Sequence, residues 1–290
     1  MKIVVLGSSG QLGICLKEEI SKTSHEQFCF SKEDLDITNY EKIAKLISDI
    51  SPDVVINAAA YTKVDEAEDF PEHSNNINNI AVEKISYICK LVNSLLIHIS
   101  TDYVFDGKSE APYSENSLTN PKSVYGKTKL FGENKIIDSG CNYFIIRTSW
   151  VYSEYASNFL KTILKLSEHN KSINVIDDQF GNPTYARDLA IAIIEMLKNK
   201  KKKNIYYGIY NFCGNETCSW YTFAQKIKYL ANKNRFNLGV KINSITTKDF
   251  SSKAPRPANS KLNCSKIYKK FNISPSNLEV GIIRTLNSLN

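Results

Sequence analysis

No stretch of this 290-residue chain approaches the roughly twenty consecutive apolar residues that a helix needs to cross a bilayer, so a helical membrane span is excluded. Paired cysteines are missing as well. Seven cysteines stand singly at positions 15, 29, 89, 141, 213, 218 and 264, without a Cys-x-x-Cys, beside only four histidines. An odd, scattered set excludes a disulfide framework and a zinc site, and it predicts reduced thiols in a cytoplasmic protein. The apolar run in Met1-Lys2-Ile3-Val4-Val5-Leu6-Gly7 is too short for a signal peptide and reads as a first strand. The low hydrophobicity of a disordered chain is absent too, since 42% of the residues are hydrophobic. The length suits one large or two small domains with a genuine core.

Net charge is +7, and part of the excess is the run Lys198-Asn199-Lys200-Lys201-Lys202-Lys203. No aromatic residues are interleaved with these lysines, so the run reads as a solvated loop and no nucleic-acid partner is expected. The remaining basic bias suits an anionic small molecule.

Short apolar runs alternate with longer amphipathic ones through the first half, the pattern of βαβ units on a parallel sheet. Strands are predicted at Lys2–Leu6, Gln27–Phe30, Val54–Ala59, Leu95–Ser100 and Tyr143–Thr148. Helices are predicted between them at Leu12–Ser21, Tyr40–Ile50, Asn75–Val92 and Val124–Ile137. After Trp150 the regularity weakens, with helices expected at Asn158–Glu168, Ala186–Leu197, Ser219–Ala231, Ser265–Phe271 and Leu278–Leu286. Short strands fall near Ile173–Ile176 and Ile209–Phe212. The expected fold is α/β: a Rossmann-like doubly wound parallel sheet in a dinucleotide-binding domain over residues 1–150. A smaller C-terminal substrate-binding lobe, residues 151–290, partly interleaves with it.

Gly7-Ser8-Ser9-Gly10-Gln11-Leu12-Gly13 joins the first predicted strand to the first predicted helix. Glycines there allow a tight turn, close approach of backbone N–H groups to a pyrophosphate and close helix–strand packing, while the helix N-terminus favours the phosphates. The second strand is followed by Ser31 and Lys32 rather than an acid. That pair suits the 2′-phosphate of NADPH, with Glu33 and Asp34 near enough to leave NADH open. Asp36 and Ile37 are expected beside the adenine.

Tyr125 and Lys129, four apart on a predicted helix, share one face. An ammonium beside a phenol favours the phenolate and lowers its pKa, and such a tyrosine can protonate a carbonyl oxygen at neutral pH. Thr101, at a strand end, can hold the same oxygen. The three together read as a carbonyl-reduction site.

These pieces follow the order of the extended short-chain dehydrogenase/reductases. Ser100-Thr101-Asp102-Tyr103-Val104-Phe105-Asp106-Gly107, Val124-Tyr125-Gly126-Lys127-Thr128-Lys129, Arg147-Thr148-Ser149-Trp150-Val151-Tyr152, Asp178-Gln179-Phe180-Gly181-Asn182-Pro183-Thr184 and Arg256-Pro257-Ala258-Asn259-Ser260-Lys261-Leu262 resemble the dTDP-4-dehydrorhamnose reductase family, from the first strand to the last helix. The resemblance implies NAD(P)H-dependent reduction of the C4 ketone of dTDP-4-dehydro-L-rhamnose for cell-surface polysaccharide. It makes Tyr125 the proton donor, gives Lys129 the nicotinamide ribose and the Tyr125 pKa, and lets Thr101 orient the carbonyl. It sets Gly10, Gln11 and Leu12 against the pyrophosphate and Ala60, Tyr61 and Thr62 along the cofactor. Thr101, Asp102 and Trp150 become substrate contacts.

Dehydratases of the same superfamily place Asp-Glu after the active-site threonine to eliminate water. Here Tyr103 follows Asp102, a poor base at neutral pH, which favours net reduction. Some family members bind Mg²⁺ at a dimer interface through glutamates. Two of those three positions hold Cys15 and Arg187, with only Glu279 acidic, and a hard cation wants oxygen ligands. No metal is therefore expected, nor that mode of dimerisation, although a homodimer stays open. A reductase of another 4-keto nucleotide sugar and a non-catalytic NADP-binding regulatory subunit are the alternative readings. The intact Thr101, Tyr125 and Lys129 weigh against the second. Arg256 has two readings, a bidentate grip on the substrate pyrophosphate or a pin for its proline-rich loop. His98 and Trp220 read as packed side chains, and Lys161 as part of a solvated helix face.

Overall fold

The computed structural model describes residues 1–198 and 206–289. Of the lysine run, Lys198 ends a helix, and residues 199–203 lie outside the described residues. Strands β1 (Lys2–Leu6), β2 (Glu26–Phe30), β3 (Val54–Asn57), β4 (Leu95–Thr101) and β5 (Tyr143–Thr148) build the central sheet, and Gly208–Asn211 completes it at one edge. Across the sheet the order is Gly208–Asn211, β5, β4, β3, β1, β2, with every pair parallel. The winding reverses between β1 and β3, and the crevice beyond the strand ends at such a point is where ligands bind in open α/β sheets.

The helices are α1 (Gln11–Ser21), α2 (Tyr40–Ile50), α3 (Val64–Asp69), α4 (Pro71–Asn75), α5 (Ala81–Leu91), α6 (Val124–Ser139), α7 (Phe159–His169), α8 (Ala186–Lys198), α9 (Trp220–Lys233), α10 (Ser265–Phe271) and α11 (Leu278–Leu289). Alternation along β1 serves both layers. Ile3 and Val5 pack with Leu12 and Leu16 of α1 and Leu189 and Ile193 of α8, whereas Val4 and Leu6 pack with Ile43 and Ile47 of α2 and Ile85 of α5. Tyr152, Leu160, Ile163, Phe223, Ile227, Leu278 and Ile282 form a separate core in the C-terminal half, beside the parallel pair Ser172–Ile176 and Lys241–Ile245. Among the described residues no helix is long and apolar enough to cross a membrane.

Two predicted elements differ in the structure. The strand expected to reach Ala59 ends at Asn57, because the chain leaves the sheet there to form the floor of a cleft. The single helix expected over Asn75–Val92 is instead α4, a π-helical turn at Asn76–Ile80, and α5. Asparagines are weak helix formers, and the widened turn lets Asn78 bond outside its own helix. Its Oδ1 accepts from the Tyr61 N–H (2.9 Å), and its Nδ2 donates to the Tyr61 carbonyl (3.1 Å).

The halves are joined by polar contacts at α1. Gln11 Oε1 accepts from Ser153 Oγ and Asn158 Nδ2, each at 3.0 Å. Arg187 of α8 bridges Glu18 (2.6 Å), Glu19 (2.9 Å) and Glu154 (2.7 Å). Helix α6 is capped by the Ser123 hydroxyl, which accepts from the Gly126 N–H (3.1 Å), and it ends at Gly140 in the left-handed conformation, φ 68°. A buried carboxylate ties α6 to two strands. Glu133 accepts from Ser100 of β4 (2.5 Å) and, through both oxygens, from Arg147 of β5 (3.0 and 2.6 Å). Removing one partner strands a buried charge, so Arg147→Ala should cost about 3–5 kcal/mol in urea unfolding. A loss under about 1 kcal/mol would show that this pair does not anchor the helix.

Candidate active site

The turn after β1 is built from two glycines that admit nothing larger. Gly7 sits at φ +81°, and a Cβ on Gly13 would lie 2.1 Å from the Gly7 carbonyl oxygen. Gly10 differs: its Cβ would meet only that oxygen, at 3.5 Å, because it faces open space. A cleft of about 610 Å³ opens there, lined by Gly7, Gly10, Lys32, Asp36, Ile37, Ala60, Tyr61 and Thr62 among the residues expected at a cofactor. Gln11, Leu12, Gly13, Ser31, Tyr125 and Lys129, also expected at a cofactor, are not on its wall. Leu12 and Gly13 are turned into the core, Gln11 bonds to the second half of the chain, and Ser31 closes a local turn with Asp34. Asp36 is held by the Thr38 N–H and hydroxyl (2.9 and 2.7 Å), bonds that keep its carboxyl below the usual range. Helices α3 and α4, not foreseen in the sequence, add Glu66 and His73 to the same wall, with His73 edge-on to Tyr61 at 5.1 Å.

Thr101 ends β4 and caps the short turn Asp102–Val104 by accepting from the Tyr103 N–H (3.2 Å), while its hydroxyl donates to Asp102 Oδ1 (3.0 Å). The Thr101 side chain also acts on Tyr125, so the structure brings Thr101, Asp102 and Tyr125 together. All three are buried, and Tyr103 packs edge-on against Tyr125 at 5.5 Å. Burial pushes the Tyr125 phenol above its ordinary value and Asp102 and Tyr103 add to the rise, while Thr101 opposes it. The lowering expected from Lys129 takes no part in this balance. Lys129 Nζ instead donates to the Ile99 carbonyl (2.6 Å) and lies 3.0 Å from His98 Nε2. Burial also lowers Lys129 to about 8, against the pull of Glu133. It raises Asp102 to about 6, with the Ser260 and Thr101 hydroxyls opposing, and Tyr103 to about 12.

Trp150 adopts φ 48°, and its indole stacks on Trp220 with ring centres 3.4 Å apart and planes within 4°. The packing expected for Trp220 is therefore with the very side chain expected at the substrate. Arg256 pins its loop: one terminal nitrogen meets Asp65 of α3 (2.7 Å) and the other the Tyr103 hydroxyl (3.3 Å). Its buried Nε has no partner in the protein. Lys161 is not simply solvated, since its Nζ donates to the Glu154 carbonyl (3.1 Å). His98, expected as a packed core side chain, is fully buried but polar on both ring nitrogens, bonding Asn57 at 3.2 Å as well as Lys129. Of the positions weighed for a metal, Cys15 is a buried thiol raised to about 12 and Arg187 is engaged by three carboxylates, a donor set that does not fit a hard cation. Among the described residues no group of three or more His, Cys, Asp or Glu is placed to hold a metal ion.

Sequence reasoning missed Asn57, Asn78 and Glu133, which position the site from beneath. Only the asparagine-rich run around residue 78 carried a signal, through its weak helix propensity. The glycine geometry yields a direct contrast. Gly13→Ala should lower Tm by about 2–4 °C for each kcal/mol of clash, whereas Gly10→Ala should leave Tm unchanged in calorimetry and weaken dinucleotide binding in a fluorescence titration. Equal effects of the two on Tm would refute this division of labour.

Comparisons with known proteins give the family of the chain. A dTDP-4-dehydrorhamnose reductase from Aggregatibacter actinomycetemcomitans is 38% identical over 279 residues, covering 95% of both chains. One from Escherichia coli K12 is 36% identical over 293 residues, covering 100% of this chain and 98% of the relative. Among solved structures, a dTDP-4-dehydrorhamnose reductase from Clostridium acetobutylicum superposes with a TM-score of 0.93 at 33% identity, covering 100% and 99% of the two chains. One from Bacillus anthracis, in complex with NADP, gives 0.92 at 34% identity and 99% of each. The family model described as the RmlD substrate binding domain matches residues 1–290, and the chain belongs to that family.

Proposed function

We propose that this chain catalyses the NADPH-dependent reduction of the C4 ketone of dTDP-4-dehydro-L-rhamnose to dTDP-L-rhamnose, for cell-surface polysaccharide. The observation that carries the reading is Tyr125, a phenol kept protonated by burial beside Thr101 at the end of β4. Full-length likeness to reductases named for that substrate supports the choice of sugar, and the NADP complex of one relative supports the cofactor.

The residues around the cleft fit such a dinucleotide. Gly10 leaves room above the turn, and α1 carries no acidic residue in its first turn to oppose a phosphate. Lys32 stands on the wall, while the Asp34 carboxylate is taken up by the Ser31 N–H (2.9 Å). A 2′-phosphate would thus meet a cation rather than a free acid after β2. When bound, the dihydronicotinamide supplies the hydride taken up by the sugar's C4.

The chain's own groups handle the proton. Tyr125 gives its proton to the C4 oxygen, Thr101 holds that oxygen, and the Lys129 ammonium is assigned to the nicotinamide ribose. Asp102 and Trp150 are assigned to the sugar nucleotide, with Arg256 supplying its unpartnered Nε. Tyr103, at about 12, is no base at neutral pH, which disfavours loss of water.

The test is NADPH absorbance in the presence of enzymatically generated dTDP-4-dehydrorhamnose, and no oxidation with either cofactor would remove the reading. Tyr125→Phe should bind NADPH normally yet lose about 10²–10⁴ in turnover, the usual worth of general acid catalysis. Lys129 is charged below about 8 and neutral above it. The rate should therefore fall as pH rises through that value, and a profile flat to pH 10 would deny the ammonium its role.

A further inference from the structure

A chain of buried polar groups runs beneath the site, from the cleft floor to Lys129. Asn57 closes β3, His98 lies beside it in register on β4, and Lys129 reaches down from α6. All three are 1% exposed or less. Asn57 Oδ1 accepts the Ala59 N–H at 3.2 Å, which turns the amide so that Nδ2 faces His98 Nδ1 at 3.2 Å. An amide nitrogen only donates, so Nδ1 must present its lone pair. The proton of a neutral ring then sits on Nε2, 3.0 Å from Lys129 Nζ. A donor aimed at Nζ needs a lone pair there, and an ammonium has none. All the bonds are satisfied together only when Lys129 is an amine, still donating to the Ile99 carbonyl at 2.6 Å. Charging Lys129 requires the ring proton to sit on Nδ1 and the Asn57 amide to turn away from Ala59.

We propose that His98, oriented by Asn57, is a positioning residue that biases Lys129 toward its neutral amine in the free protein and so sets how readily it gains its proton. Burial acts in the same direction on Lys129 and drives His98 well below the usual imidazole range. Several of the charged and titratable groups on the surrounding elements have partners of their own. Glu133, one turn along α6, is held by Arg147 and Ser100. Glu68 of α3 accepts the Val124 N–H at 2.8 Å, and Glu83 of α5 pairs with Lys135 at 2.9 Å. His73 of α4 packs on Tyr61, and after β4 Asp102 bonds Thr101 while Tyr103 meets Arg256. For catalysis the consequence rests on the reductase reading: the charged form of Lys129 is the working one, so the Asn57–His98 pair fixes the alkaline limit of the reaction.

The test begins on the free protein, where reductase activity has no bearing. Nitrogen NMR of the imidazoles, four in the chain and assignable with His98→Gln, should find the His98 proton on Nε2. A proton on Nδ1 in the wild type overturns the proposal without any variant. Asn57→Asp puts an acceptor opposite Nδ1, and it should move the ring proton there and raise the Lys129 side-chain titration by about one pH unit or more. The alkaline limb of kcat/KM should move up with it. The same substitution with His98→Leu keeps the new carboxylate but removes the ring, and the rise should vanish. A rise that persists in the double variant, or a Lys129 titration unmoved by Asn57→Asp, overturns the role of His98.

Discussion

The geometry of the proposed active site hangs on one buried carboxylate. Glu133, buried beneath α6, is gripped by Arg147 of β5 and Ser100 of β4, so one side chain fixes the helix against two neighbouring strands. Tyr125 and Lys129 lie toward the start of that helix, and Thr101 ends one of those strands. A buried ion pair adds little net stability compared with apolar packing, but its directional bonds tolerate one arrangement and few others. That intolerance sets the helix in register with the strand end.

Burial governs the chemistry through the same packing. It keeps the Tyr125 phenol protonated and lowers Lys129, shifts that favour the uncharged form of both: the phenol is held as an acid and the ammonium made easier to discharge. The expectation that Lys129 lowers Tyr125 came from their spacing alone. In the folded chain the amine is committed to Ile99 and His98, and desolvation outweighs anything spacing implies. Further out, Gln11 and Arg187 tie the glycine turn and α1 to the segment after Trp150, so the ends proposed for the dinucleotide and the sugar share one frame.

Much of the fold was legible because its signals are local. β1, α2, β5 and α10 run over the residues that periodicity predicts, since alternation and helical period act within a turn or two of themselves. The glycine turn was legible for the same reason. Helices α3 and α4 were not, because neither is long enough to display a period. Nor was the π turn, which goes with a bond between Asn78 and Tyr61, seventeen residues away.

The sequence by itself determined the α/β class, the dinucleotide turn, and the presence of Thr101, Tyr125 and Lys129 in an order that its family resemblance makes specific. These depend on hydrophobic period and on residue types at short spacing. Only the tertiary structure decided which partners those residues keep: Arg256 on Asp65, Trp150 on Trp220, Lys129 on His98. Each of those contacts joins residues far apart along the chain. Hydrogen-bond satisfaction and desolvation become defined only when the strands have brought them within about 3 Å of one another.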